Sequence, residues 1–316
     1  MLADRQHRRK QKMAGCRTNP VKVPARSHDR ILKVARTFAE LLSGHTRKNR
    51  MTRLPKAPTP QDAAALFREQ LGHGEAVLGC FLSLGSPATA ELMANAGYDW
   101  ALIDLEHGAG DEGDALPQIQ ALAAGGSIAI VRVESAARQR VHRVLDFGAH
   151  GIMFPRIDSA AEAKAAVAAM RYPPAGVRGV AFSNRAGGYG SNFRPYMAGS
   201  EALMTIVQIE SPAAVENADA IAAVDGVDVL FVGPSDLSHA MGMLGNFEHP
   251  DFVAAIQRTA AAASSHGKRC GILLPSPKDF KEYYDFGYRF IASGSDAVLL
   301  NNAARSLVEG IRSVTL

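Results

Sequence analysis

Four apolar runs in this chain end in residue types that bind cations, grip anions or move protons. Trp100 to Ile103 leads into Asp104-Leu105-Glu106-His107, and Ile128 to Val131 leads into Arg132. Met204 to Val207 leads into Gln208-Ile209-Glu210, and Asp228 to Val232 leads into Gly233-Pro234-Ser235-Asp236. Glu210 and Asp236 offer hard carboxylate oxygens, the donors that Mg2+ and similar divalent cations take while leaving positions for water and substrate. An arginine such as Arg132 can hold a carboxylate by paired hydrogen bonds, and histidine, here His107, is the side-chain type that moves protons near neutral pH. Together they suit a 2-oxo acid. A cation chelated by its carboxylate and keto oxygens would stabilise the enolate left by carbon–carbon cleavage, with His107 relaying the proton. Singly, a carboxylate after a strand reads equally well as the N-cap of the next helix, so the weight rests on their convergence.

That convergence needs strands that end on one rim. From residue 60 onward, short β-branched or apolar runs alternate with Ala-rich helical stretches, the pattern of repeated βα units on a parallel sheet. Eight strands are expected: Leu78 to Leu84, Trp100 to Glu106, Ile128 to Glu134, Gly151 to Ile157, Met204 to Glu210, Asp228 to Pro234, Arg269 to Pro275 and Arg289 to Ser295. Helices are expected at Pro87 to Ala96, Ala160 to Met170, Pro250 to Ser265 and Val298 to Ile311, with Gly97, Gly148, Gly267 and Gly287 as left-handed caps. Eight units in one domain fit a (β/α)8 TIM barrel, an α/β fold whose chemistry sits at the C-terminal ends of the strands. Tyr172 to Gly199 breaks the rhythm with Gly, Pro and Arg, and a loop of that length is expected to be functional.

Composition sets outer bounds. The chain has 316 residues, 47% hydrophobic and 21% charged, enough for one large core. No apolar run reaches the roughly 18 residues of a membrane span. Cys16, Cys80 and Cys270 match no paired metal or redox spacing, which points to reduced thiols and a cytoplasmic setting. The net charge of +4 conceals an asymmetry, because residues 1–50 hold 14 Lys and Arg against 3 Asp and Glu. Residues 1–59 thus read as a basic, poorly ordered extension with one amphipathic island at 31–42, and residues 60–316 as the barrel domain. An RNA- or membrane-binding arm and a targeting presequence are alternatives for the extension. The barrel is mildly acidic, so neither nucleic acid nor membrane is expected as its partner.

Longer motifs carry a resemblance. GYDWALIDLEH (Gly97 to His107), IVRVES (Ile130 to Ser135), RYPPAGVRGV (Arg171 to Val180), VQIES (Val207 to Ser211) and GVDVLFVGPSDLS (Gly226 to Ser238), in this order, resemble the HpcH/HpaI aldolase/citrate lyase family. The likeness is strongest to metal-dependent aldolases of 2-keto-3-deoxy sugar acids, the 2-dehydro-3-deoxyglucarate type, and of related 4-hydroxy-2-oxo acids. It implies a barrel of the phosphoenolpyruvate/pyruvate-binding type and a class II aldolase that releases pyruvate and an aldehyde. The implied cofactor is Mg2+, Mn2+ or Co2+, held by Glu210 and Asp236. His107 would be the acid/base, Arg132 would neutralise the enolate, and Asp146 would hold His107 in its basic tautomer. Gln208, Ser235, Asp236 and Arg132 would contact substrate, with Asp104 as a supporting carboxylate, and the assembly would be a homo-oligomer, a hexamer by family likeness. Sugar-acid members read DGEHAPN where this chain has Leu105 for the Gly and Gly108-Ala109-Gly110 after the His. That departure falls on the aldehyde side, where Arg171 to Tyr196 is also expected, and Arg178 or Arg185 could meet an acidic substrate tail if they are not loop-packing residues. Two other readings compete. A citrate-lyase-like acyl-CoA lyase would need a basic pocket for a nucleotide tail, and no such cluster stands out. A basic-arm RNA-binding protein on a vestigial barrel sits poorly with the intact His107, Arg132, Glu210 and Asp236 set.

Overall fold

The computed structural model describes residues 58–314. The amphipathic island at 31–42 and nearly all of the basic extension lie outside the described residues. Helix α1 (Pro60–Gly72) starts where Thr59 caps the N–H of Asp62 and Pro60 presets the first turn. It then crosses the N-terminal end of the sheet, where Arg269 at the start of a later strand donates to the carbonyls of Leu71 and Gly72.

Eight βα units follow. The first four are β1 (Val77–Leu82) with α2 (Pro87–Ala96), β2 (Trp100–Asp104) with α3 (Glu112–Ala124), β3 (Ile128–Arg132) with α4 (Arg138–Asp146), and β4 (Gly151–Phe154) with α5 (Ala160–Met170). After the short α6 (Phe193–Gly199) come β5 (Met204–Ile209) with α7 (Pro212–Glu216) and α8 (Ala218–Ala222), and β6 (Val229–Val232) with α9 (Pro234–Ala240) and α10 (Pro250–Ser265). The last are β7 (Arg269–Leu273) with α11 (Phe280–Asp285), and β8 (Tyr288–Ser295) with α12 (Asp296–Arg312). All pairings are parallel, and β1 bonds to both β2 and β8, which closes the barrel. The (β/α)8 expectation therefore holds, as do the glycine caps: Gly97, Gly148, Gly267 and Gly287 all have positive φ.

Several strands stop one to three residues earlier than the hydrophobic pattern implied. At β2 the cause is visible: Asp104 Oδ1 accepts the backbone N–H groups of Glu106 and His107 at 3.1 and 3.2 Å, turning the chain off the ladder. Rim residues leave the sheet to face the opening.

Two packed layers result. Between sheet and helices lies the larger apolar layer, and inside the barrel lies a second cluster that includes Trp100, Leu102, Ile130, Met204, Phe231 and Phe290, with Phe67 and Leu71 of α1 beneath it. Trp100 stacks on Phe290 with ring centroids 4.0 Å apart. Glycines give these rings room: a Cβ at Gly79 would sit 2.1 Å from the Trp100 ring, and one at Gly271 would sit 2.7 Å from Phe231. Large against small fills the taper of the barrel.

The last helix departs from the pattern. Asp296 at its start is buried and ties β8 to β1, accepting from Ser83 N at 2.8 Å and from Thr89 Oγ1 at 2.9 Å. The rest of α12 lies exposed, with Val298, Leu299, Leu300, Leu307, Val308 and Ile311 uncovered by the described residues. An apolar hollow of about 310 Å³ beside β1 and β8 is lined by Leu78, Tyr98, Phe280 and Ile291.

Candidate active site

Period-two alternation carries the interior columns up to the rim. Trp100 and Leu102 face the barrel axis, so Asp104 does too, and register places it beside Arg132 of β3. Arg132 Nε donates to Asp104 Oδ1 at 2.9 Å and Nη2 donates to Oδ2 at 2.7 Å, a planar two-point grip. Arg132 Nε also lies 3.2 Å from Glu106 Oε2. Burial works to raise the carboxyl pKa of Asp104, but the bonds and charge of Arg132 outweigh it and leave the group below its ordinary value. Burial works against the Arg132 charge as well, and Asp104 and Glu106 more than offset it. Gly108 lets the following loop fold back on the strand end, since a Cβ there would lie 2.2 Å from the Asp104 carbonyl oxygen.

On the opposite side Glu210 follows β5 and is 7% exposed. Its Oε1 accepts from Gln208 Nε2 at 2.6 Å and its Oε2 from the backbone N–H of Arg156 at 3.2 Å. Gly233 makes space for it, because a Cβ would stand 2.4 Å from Oε1. Burial first, then the charge of Asp236 in the first turn of α9, pushes the Glu210 carboxyl up to about 7. Burial also raises Glu106, against the opposing charges of Arg132 and His107.

These groups surround a cavity of about 290 Å³, with carboxylates Glu106, Asp158, Glu210 and Asp236 on its wall together with His107, His239 and Arg156. The donor set fits a divalent cation. The charges of Asp236 and Glu106 add to the upward push on Glu210, and a cation beside them would relieve that repulsion. Among the described residues no group of three His, Cys, Asp or Glu is drawn close enough to form a complete cage. Two carboxylates with further positions left to solvent and substrate is the arrangement expected for an exchangeable Mg2+.

Of the residues singled out in the sequence, His107, Glu210 and Asp236 line the cavity together. Arg132 and Gln208 are buried where they bind the lining carboxylates Glu106 and Glu210, and Asp104, also buried, holds Arg132. The side-chain oxygen Oε1 of Gln208 is buried without a partner among the described residues. Ser235 is exposed next to Asp236 and is not part of the cavity wall.

Asp146 is elsewhere. It closes α4, which runs back from the rim, and its Oδ1 accepts from Arg178 at 2.8 Å. The carboxylate next to His107 is instead Glu106, 3.8 Å from Nε2. Arg178 is fully buried between Tyr172 and Tyr196, and Arg185 Nη1 donates to the Phe147 carbonyl at 2.6 Å. The segment Tyr172 to Gly199 links a helix end to a strand start, so it packs at the N-terminal end of this barrel rather than beside the aldehyde half. Four titratable cavity residues were given no role from the sequence: Glu106, Arg156, Asp158 and His239. Glu106 adjoins His107 in a motif already singled out, and Arg156 and Asp158 follow β4, a strand end from which no polar residue was collected.

A family model described as HpcH/HpaI aldolase/citrate lyase matches residues 77–303. The chain is 41% identical over 243 residues to a 5-keto-4-deoxy-D-glucarate aldolase of Salmonella arizonae, spanning 77% of this chain and 95% of that protein. Among solved structures, an HpcH/HpaI aldolase/citrate lyase family protein from Burkholderia cenocepacia superposes with a TM-score of 0.75 at 38% identity, covering 79% of this chain and all of the other. An HpcH/HpaI aldolase from Desulfitobacterium hafniense gives a TM-score of 0.74 at 29% identity, covering 78% and 97%.

Proposed function

Because this chain belongs to the HpcH/HpaI aldolase/citrate lyase family, we propose that it is a class II aldolase that reversibly cleaves a 4-hydroxy-2-oxo acid to pyruvate and an aldehyde. The observation that carries the reading is the shared cavity of Glu210, Asp236, Glu106 and His107 at the C-terminal rim. The sugar-acid substrate named for the Salmonella relative supports a 2-keto-3-deoxy sugar acid as the substrate class.

Glu210 and Asp236 would hold Mg2+, Mn2+ or Co2+, which when bound supplies a Lewis acid for the 2-oxo acid. The protein's own groups do the rest. Gln208, Gly233 and the Arg156 N–H fix the Glu210 carboxylate. His107, beside Glu106, takes the proton from the C4 hydroxyl as the C3–C4 bond breaks, and the bonding pair moves into the pyruvate enolate. Arg132 is held in place by Asp104 through Nε and Nη2, and its Nη1, which neither bond uses, is the donor for the enolate oxygen. Protonation of the enolate carbon then gives pyruvate. Ser235 stays a pyruvate contact by family likeness alone.

The barrel domain, residues 60–316, is read as carrying this chemistry, with residues 1–50 dispensable. Buried free Cys80 and Cys270 support a reducing, cytoplasmic setting. The apolar face of α12 supports a homo-oligomer, since a face that the described residues leave bare is suited to cover by a second copy. A screen of 4-hydroxy-2-oxo acids with each cation, read by pyruvate release, tests the assignment. No release from any of them, or full release in excess chelator, would sink it.

A further inference from the structure

We infer that Arg156 makes this enzyme selective for substrates whose aldehyde-derived half carries a second anionic group. The inference rests on the aldolase reading of the cavity and adds a selecting residue to it. Arg156 is the one Arg or Lys among the described residues that line the cavity. Its surroundings are acidic, with Glu106, Asp158, Glu210 and Asp236 on the same wall. A dianionic substrate meeting those carboxylates needs a permanent positive charge beyond the cation that takes its 2-oxo acid end. Arg132 cannot supply it, because Asp104 and Glu106 offset its charge through Nε and Nη2 and its remaining Nη1 is the donor for the enolate oxygen. Arg178 and Arg185 cannot either, being bound to Asp146 and the Phe147 carbonyl away from the cavity. His107 and His239 carry charge only when protonated.

The Arg156 guanidinium makes no ion pair or hydrogen bond among the described residues, while its backbone is fixed on both sides. Its own N–H donates to Glu210 Oε2 at 3.2 Å, and the next N–H, of Ile157, donates to the Gln208 carbonyl at 3.2 Å. With φ at 52° it occupies the left-handed region that few non-glycine residues adopt. A residue held so firmly at the main chain, with a free planar cation at its tip, is suited to grip a carboxylate by two parallel bonds.

The test compares two acids that differ at one end, a 2-keto-3-deoxy aldarate with a terminal carboxylate and the matching aldonate with a terminal hydroxymethyl. The wild-type enzyme is expected to favour the dicarboxylate in kcat/KM. Arg156→Gln should reduce that preference about tenfold or more, the scale of a lost charge-assisted bond, mainly through KM, and Arg156→Lys should reduce it less. Equal losses on both acids, or an unchanged preference in Arg156→Gln, overturn the inference, because a backbone role alone affects both alike. Exchange of pyruvate methyl protons with deuterated solvent by the wild-type enzyme is the separate check on the aldolase reading. If the wild-type enzyme neither exchanges these protons nor cleaves either acid, that reading falls and takes the selectivity with it.

Discussion

Two buried carboxylates at the cavity have their pKa values moved in opposite directions. Asp104 keeps its charge because Arg132 meets both its oxygens, whereas Glu210 has only neutral donors, Gln208 and a backbone N–H, and faces Asp236. Removing Asp104 takes the two-point partner from buried Arg132 and leaves it Glu106, so Asp104→Ala should destabilise the fold, by less than the about 3–5 kcal/mol of a fully unpaired buried charge, read by denaturant unfolding. Arg132→Lys keeps the charge but loses the planar fork, and turnover should fall about 10²- to 10³-fold. The Glu210 shift has a definite sign. Its pKa is raised on folding, so the folded chain binds more protons than the unfolded chain between the ordinary carboxylate range and about 7. Metal-free protein should therefore lose stability as pH rises through that window, and cation affinity should fall as pH drops below about 7. Thermal melts and Mn2+ titrations across this range check both, and a flat cation affinity would remove Glu210 from the ligand set.

At the level of elements, each functional side chain is placed by where its strand stops and by a neighbouring glycine. Gly233 stands at the turn from β6 into α9 and leaves the space that the Glu210 carboxylate fills. Gly233→Ala should displace that carboxylate and weaken cation binding about 10- to 100-fold, with the fold retained, as measured by isothermal titration and circular dichroism. Wild-type affinity in that variant would mean that Glu210 reaches the cation by another route. The same logic explains Asp146 and the 172–199 segment. Helices run back from the rim, so residues at a helix end or in the loop before the next strand belong to the far end of the barrel.

For the molecule as a whole, the closed sheet buries its interior on large rings set against glycines, and α1 covers its N-terminal end. Among the described residues, what stays open is α12, with its apolar side chains uncovered, and the apolar hollow beside β1 and β8. A second copy that covers the helix would remove this exposed surface. Leu307→Glu combined with Ile311→Glu should convert the proposed homo-oligomer to smaller species in sedimentation, leaving the circular dichroism spectrum unchanged. An unaltered sedimentation profile would place the subunit contact elsewhere.

By itself the sequence determined the eight-strand count, the helix ends at Gly97, Gly148, Gly267 and Gly287, and the rim set of His107, Glu210 and Asp236. These are local: hydrophobic period, left-handed caps and polar residues at strand ends are written within a few neighbours of each position. Tertiary structure decided which groups meet. That Glu106 rather than Asp146 stands by His107, that Arg132 is tied to Asp104, and that Arg156 reaches the cavity while Arg178 and Arg185 do not, all depend on barrel closure and register. The pKa of Glu210 follows from the same cause, since burial and the charge of Asp236 act through space between residues 26 positions apart in the chain.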